Sequence, residues 1–305
     1  MLTNKTKFYF FLIFTTLIWG VNFHVSQIAI EHVGAMLAGT YRYILGALLL
    51  GAFMFFKKPT EIDIKQSLSK WKHIVFLGIT GAFLYNILFL EGLKHTTAFN
   101  GVLIIGLTPL NTALISIPML GHRLKRKEMI SIALGFMGIL FVISKGDLEV
   151  IRALSFSKGD LLILGANLSF SFGNVFIKKY LGHISPLWLT NLVTWVACFA
   201  FCIYSVGFET FVFPMDTDFL LAVFFMGALS TAICGAFWFI SIKELGAETS
   251  TLFTNLVPVF GTTASFILGE EISIGQVFGG ILVITALLIN SIQWRKKKAI
   301  EAVSL

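Results

Sequence analysis

The stretch "LKHTTAFNGVLIIGLTPLNTALISIPMLG", residues 93–121, has a degraded second copy in "IKELGAETSTLFTNLVPVFGTTASFILG", residues 242–269. Lys94 lines up with Lys243, Ala98 with Ala247 and Pro109 with Pro258, all at one spacing. Leu120-Gly121 meets Leu268-Gly269 after a one-residue slip, and by the same spacing Arg42 falls opposite Asn191. Each copy is a long apolar run with a proline in its middle. The chain therefore reads as two related halves made of apolar helices.

Working outward, the whole sequence has the same texture. Of 305 residues, 56% are hydrophobic and 13% charged, and the mean hydropathy is +0.86. A soluble domain carries about twice that share of charge. Apolar runs of span length recur from end to end, approximately at 8–30, 34–56, 71–93, 96–119, 128–144, 159–181, 185–207, 218–243, 246–269 and 274–294. The first, which follows Lys5 and Lys7, is too long for a signal peptide and lacks a small-x-small cleavage site. The net charge of +7 sits in short connectors, where membrane topology rather than nucleic acid explains it.

Lysine and arginine alternate in abundance between successive connectors. One side holds Lys5, Lys7, five lysines from Lys57 to Lys72, Arg123 to Lys127, Lys178, Lys179, Lys243 and Arg295 to Lys298. The other holds Lys94, Lys145, Arg152 and Lys158. This asymmetry puts both termini in the cytoplasm of a multi-pass inner-membrane protein. The expected fold is all-α, ten transmembrane helices in two five-helix repeats, 8–144 and 159–294. They are joined by an extracytoplasmic linker, 145–158, and followed by a basic cytoplasmic tail, 295–305. Five is odd, so the second repeat enters the membrane inverted. Inverted repeats are a recurring architecture of secondary transporters, with the site near the midplane between them.

At the level of motifs the chain resembles the drug/metabolite transporter superfamily, specifically its ten-helix EamA type. The resemblance rests on "IWGVNF" (18–23), "YRY" (41–43), "TPLNTALISIPMLGHRL" (108–124), "KGDLLILGANLSFSFGNV" (158–175) and "VPVFGTTASFILGEEI" (257–272). It covers both halves and implies transport of small organic compounds, with export the implied direction. One departure is visible. The resembled pattern has Leu-Gly-Glu after the proline-bearing helix in both halves. Here the first half reads Leu120-Gly121-His122, and only the second keeps acids, at Glu270 and Glu271.

Arg42 is the one charge inside "LAGTYRYILGALLLGAFMFF", 37–56. Counting from Gly34 at 1.5 Å per residue puts it roughly 12 Å below the helix end. A guanidinium there costs at least a few kcal/mol on insertion scales, and its planar fork suits a carboxylate. A central cavity with Arg42 on its wall is the functional reading; an anchor to backbone carbonyls or lipid phosphate is the bland one. His24 lies at a similar depth, and a histidine there either carries a coupling proton or serves as a neutral hydrogen-bonding group. Asn22, Tyr85, Asn86, Asn167 and Asn191 share the band, and Trp188, Trp195 and Trp238 are candidates to stack on substrate. Pro109 and Pro258 are candidate hinges, since each removes a backbone bond and kinks its helix. Asp160 reads as an N-cap. Gly275 and Gly279 form a small-xxx-small step for helix packing within the monomer or at a dimer contact.

No HExxH, GxSxG or P-loop occurs, so neither an enzyme nor an ATP-driven pump is indicated. Cys198, Cys202 and Cys234 lie in apolar runs and read as core residues; no metal site or cofactor is expected. The sequence thus points to an alternating-access exporter of amino acids or related metabolites. Its expected partners are a small-molecule substrate, the bilayer and a coupling proton or ion, and it acts as a monomer or weak homodimer. The rivals are a multidrug efflux transporter for hydrophobic or cationic compounds and, from another class, a membrane enzyme or signalling subunit.

Overall fold

The computed structural model describes residues 3–121, 126–147, 149, 157–245, 250, 253–254 and 256–303. His122, Ala247, most of the 145–158 linker and the side chains of the 295–305 tail lie outside the described residues. No strand occurs among the described residues. Six of their helices are long and apolar enough to cross a membrane, and three shorter apolar helices, Met129–Val142, Leu256–Ile267 and Ile274–Ala286, accompany them.

The first helical run, Thr3–Phe56, is two helices. Gly34 interrupts it at φ 77°, ψ 168°, leaving α1 at 3–33 and α2 at 35–56. This backbone position favours glycine, because a Cβ clashes at positive φ. A short helix, α3 (Glu61–Ser69), follows outside the apolar runs. Then come α4 (Trp71–Leu93), α5 (Ala98–Ile105), α6 (Thr108–Leu120), α7 (Arg126–Ile143), α8 (Lys158–Leu181), α9 (Pro186–Phe208), α10 (Thr217–Leu245), α11 (Leu256–Ile267) and α12 (Ile274–Val303). The α1/α2 pair is central and touches α4, α5, α9, α10 and α11.

The sequence expectation of one proline-kinked helix over 96–119 is corrected. The helix breaks at 106–107, and Pro109 is the second residue of α6, where the missing N–H is no loss. Side chains complete the bonding at the break: Asn167 Nδ2 donates to the Ile104 carbonyl at 2.6 Å, and the Thr108 hydroxyl to the Ile105 carbonyl at 2.6 Å. Pro258 likewise stands at the third residue of α11, within the first turn.

Asp160 is not the N-cap of α8. Ser157 is, and it accepts from the Asp160 backbone N–H. The Asp160 carboxylate is instead buried and accepts from the Thr96 hydroxyl (2.5 Å) and Asn100 Nδ2 (3.3 Å), while Gln276 Nε2 donates to Asn100 Oδ1 at 2.6 Å. This network ties α5, α8 and α12 together. At the opposite end of the bundle α3 is held by a capping box between Thr60 and Asp63. The Ser185 backbone N–H donates to Asp63 Oδ1 at 2.8 Å, and Trp188 Nε1 donates to Ser67 Oγ at 3.0 Å. Burial alone would raise the Asp63 carboxyl, but the bonds from Thr60 and Ser185 outweigh it and hold it below the usual aspartate range.

Gly275 and Gly279 pack inside the chain. A Cβ on Gly279 would meet the Gly138 carbonyl at 2.5 Å, and one on Gly275 would meet the Gly146 nitrogen at 2.3 Å. The small residues let α7 and α12 approach backbone to backbone.

Candidate functional site

Three helices carry π-helical turns: Gly78–Leu84 in α4, Ile177–Leu181 in α8 and Phe225–Ile233 in α10. Such turns shift the register of a helix and often mark functional sites. All three border a cavity of about 160 Å³ within the bundle, through Gly81 and Ala82, Ile177, and Ser230 and Thr231. Along α1 the lining ends at Phe23 and along α4 at Phe89, whose rings meet edge to face at 5.0 Å. In the other direction it runs through Leu77, Ile177 and Phe239, toward the lysine-rich connectors.

Arg42 is 7% exposed and lies on the cavity wall. Its Nε donates to Thr231 Oγ1 at 2.7 Å and its Nη2 to Ser230 Oγ at 3.3 Å. The wide turn in α10 aims these hydroxyls; Thr231 itself donates to the Met226 carbonyl five residues back, at 2.8 Å. No carboxylate lies within ion-pair distance of Arg42 among the described residues. Hydroxyls orient the guanidinium without neutralising it, so it remains a cation in a low-dielectric wall, where charges interact strongly.

Aromatic rings form much of the rest. Trp19 donates its indole N–H to the Ser230 carbonyl at 3.1 Å and lies 5.2 Å from the Trp238 ring. Phe170 stands edge-on to Trp19 at 6.1 Å and 5.4 Å from Tyr85. The wall also holds buried polar atoms with no hydrogen-bond partner: Asn22 Oδ1, Asn86 Oδ1, Asn174 Nδ2 and Trp238 Nε1. No acidic residue lines the cavity among the described residues.

Of the residues singled out from sequence, Asn22, Arg42, Tyr85, Asn86 and Trp238 line the cavity. His24, Asn167, Asn191, Trp195, Pro109 and Pro258 do not. Helix geometry explains each departure. His24 follows Phe23 by one residue, about 100° around α1, and turns toward α11: its Nε2 lies 3.2 Å from Ser265 Oγ and its Nδ1 3.1 Å from Glu270 Oε1. Thr190, Val193 and Thr194 are the cavity residues of α9, so Asn191 and Trp195 are each rotated off that face. Trp195 lies against Gly51 of α2 and packs 5.6 Å from Phe199. Asn167 is fully buried and spent on the α5–α6 break. The two prolines sit at helix starts.

Sequence reasoning missed Trp19, Phe170, Ser230 and Thr231. Trp19 stands inside the "IWGVNF" motif, a usable signal. The two hydroxyls are buried in the apolar run "GALSTAICG" (227–235), and nothing local betrays the π turn that presents them.

An all-helical bundle with six membrane-length helices around a solute-sized chamber defines a multi-pass membrane protein that handles a small molecule. The chain belongs to the EamA-like transporter family: the family model matches residues 6–144 and again residues 157–292. Among its relatives is the Bacillus subtilis (strain 168) protein named "Uncharacterized transporter YyaM", 31% identical over 287 residues and 93% of each chain. Proteins of Salmonella typhimurium and Escherichia coli, each named "Probable amino-acid metabolite efflux pump", are 25% identical. The match covers 95% of this chain and 96% of the Salmonella protein, and 92% and 93% for the E. coli one. A solved crystal structure shares the fold with a TM-score of 0.66 at 19% identity, over 95% of this chain and 97% of that one. The protein is therefore a membrane transporter of a small-molecule substrate.

Proposed function

We propose that the protein exports amino acids or closely related carboxylate metabolites by alternating access, with Arg42 holding the substrate carboxylate. The observation that carries this is the Arg42 guanidinium, buried on the cavity wall, oriented by two hydroxyls and lacking a carboxylate partner among the described residues. Burying a cation this way is expensive unless an anion visits it. A carboxylate accepts the two parallel bonds that the fork offers. The same cation, with no acid in the lining, disfavours cationic drugs.

The wider reading follows from the sequence. Ten spans in two inverted repeats, 8–144 and 159–294, fit a family model that matches twice. The lysine and arginine distribution supports an inner-membrane location with both termini in the cytoplasm. Export is supported by the names of the two efflux-pump relatives. Without a P-loop, an ion gradient or the substrate's own gradient supplies the energy.

The test is counterflow in proteoliposomes with pooled labelled amino acids, wild type beside Arg42→Ala. Uptake by wild type that the folded variant loses supports the reading. Equal uptake by both would reduce Arg42 to a structural anchor.

A further inference from the structure

We propose that Asn86, together with Asn22, forms a second subsite in the cavity. It accepts a hydrogen bond from a donor group that the substrate carries beside its carboxylate, so the cargo is a small acid with an adjacent N–H or O–H, as in α-amino acids. The inference rests on the carboxylate reading of Arg42 and deepens it.

The argument starts from the orientation of the Asn86 amide. Its Nδ2 donates to the Ala82 carbonyl at 2.9 Å and to the Tyr43 hydroxyl at 2.7 Å. A carbonyl oxygen only accepts, so the amide cannot be turned over without placing oxygen against oxygen. The nitrogen is therefore fixed toward α4 and Tyr43, and the free atom is the oxygen. Asn86 is 2% exposed, and its Oδ1 has no partner. Asn22 presents a second side-chain amide to the chamber from α1: its Nδ2 lies 3.1 Å from Ser26 Oγ, a hydroxyl that serves either amide atom, so the fixed acceptor is that of Asn86 and Asn22 adds an adaptable partner.

The orphaned Asn86 acceptor on the cavity wall demands a donor, because a buried carbonyl left unpaired forfeits its bond to water. Among the described residues no group donates to the Asn86 oxygen, and no acidic side chain in the lining competes for a substrate ammonium. Arg42 supplies the complementary charge at the same chamber, and the unpartnered Trp238 indole N–H adds a second donor for an oxygen. The faces of Trp19, Trp238 and Tyr85 suit an ammonium group through their π quadrupoles. The cavity thus matches a molecule with an anion at one point and a donor at another.

The test uses the purified full chain and six named probes: phenylalanine and leucine with their 2-hydroxy and 2-oxo analogues. Thermal stabilisation is followed against probe concentration. In wild type the amino acids should half-saturate at roughly tenfold lower concentration than the 2-oxo acids, which lack the donor, with the 2-hydroxy acids between. Asn86→Leu should reduce that ratio to under about threefold, and Asn22→Leu provides the same comparison if the first variant does not fold. A purely structural Asn86 would weaken all six probes alike and leave the ratio intact, which overturns the proposal. Equal half-saturation of amino and 2-oxo acids by wild type overturns the subsite alone. Failure of all six to stabilise wild type overturns it together with the Arg42 reading.

Discussion

His24 Nδ1 lies 3.1 Å from Glu270 Oε1, which fastens α1 to the connector after α11. The other ring nitrogen faces Ser265 Oγ at 3.2 Å and the Gly261 carbonyl at 3.4 Å. One turn further along α1, Gln27 Nε2 donates to the Thr96 carbonyl at 3.3 Å. These contacts lie beyond Phe23, where the cavity lining stops. Together they form a polar clasp beyond the Phe23–Phe89 end of the chamber.

The clasp should be visible in acid. Burial pushes the Glu270 carboxyl up, but bonding and charge from His24 and a bond from Ser265 outweigh it and hold it below the usual glutamate value. A lowered carboxyl stabilises the folded state fully above the unfolded value, about 4.3, and that stabilisation is lost as pH falls through the folded one. Glu270→Gln is expected to melt roughly 2–4 °C below wild type at pH 7, the shift for about 1 kcal/mol, and to converge with it as pH falls through the lowered folded value of the carboxyl. Melting curves across pH 3–7 measure this. A gap that persists unchanged in acid would assign Glu270 a packing role.

Arg42→Lys should fail to substitute. Lysine keeps the charge but loses the fork, and with it the paired bonds to Thr231 and Ser230 that aim the group. Carboxylate probes should bind about tenfold more weakly, with the melting point of the empty protein little changed. Binding as tight as wild type would show that charge alone suffices.

The α5–α6 break predicts opposite outcomes for two neighbours. Asn167→Leu removes the donor to the Ile104 carbonyl and the acceptor for Thr108, and should cost about 1–3 kcal/mol of stability. Pro109→Ala should change stability by less than about 1 kcal/mol, since a first-turn proline gives up no helix bond. Chemical denaturation of both variants decides whether the amide or the proline maintains the break.

Gly279→Val should damage the fold while leaving the binding chemistry alone. Its side chain would collide with the Gly138 carbonyl and Val142 of α7. A loss of more than about 2 kcal/mol is expected from overpacking, with the ratios among bound probes unchanged in whatever protein folds. A normal melting point combined with an altered oligomeric state would move this seam to a subunit contact.

Much of the fold could be read without coordinates because a bilayer limits the choices. Apolar runs of fixed length must be helical, and six of the described helices are long and apolar enough to cross a membrane. Arg42 was legible for the same reason: a charge in an apolar run needs an explanation. Rotation about each helix axis was not legible. Asn22 and His24 are two residues apart, yet one faces the chamber and the other faces α11. Only packing against neighbours sets that angle. The proline at 109 was visible, but the buried amide of Asn167 that completes the break belongs to another helix, and long-range bonds leave no local mark.

The seam between α7 and α12 contributes none of its described residues to the cavity wall. The side chains that face the cargo and those that hold this seam therefore stand on different helices. The chamber is lined from α1, α2, α4, α5, α6, α8, α9, α10 and α11, so exchanges there leave the glycine seam unaltered. The same separation gives a practical rule for retargeting: a library built on the chamber helices can leave two helices, and the stability they carry, untouched.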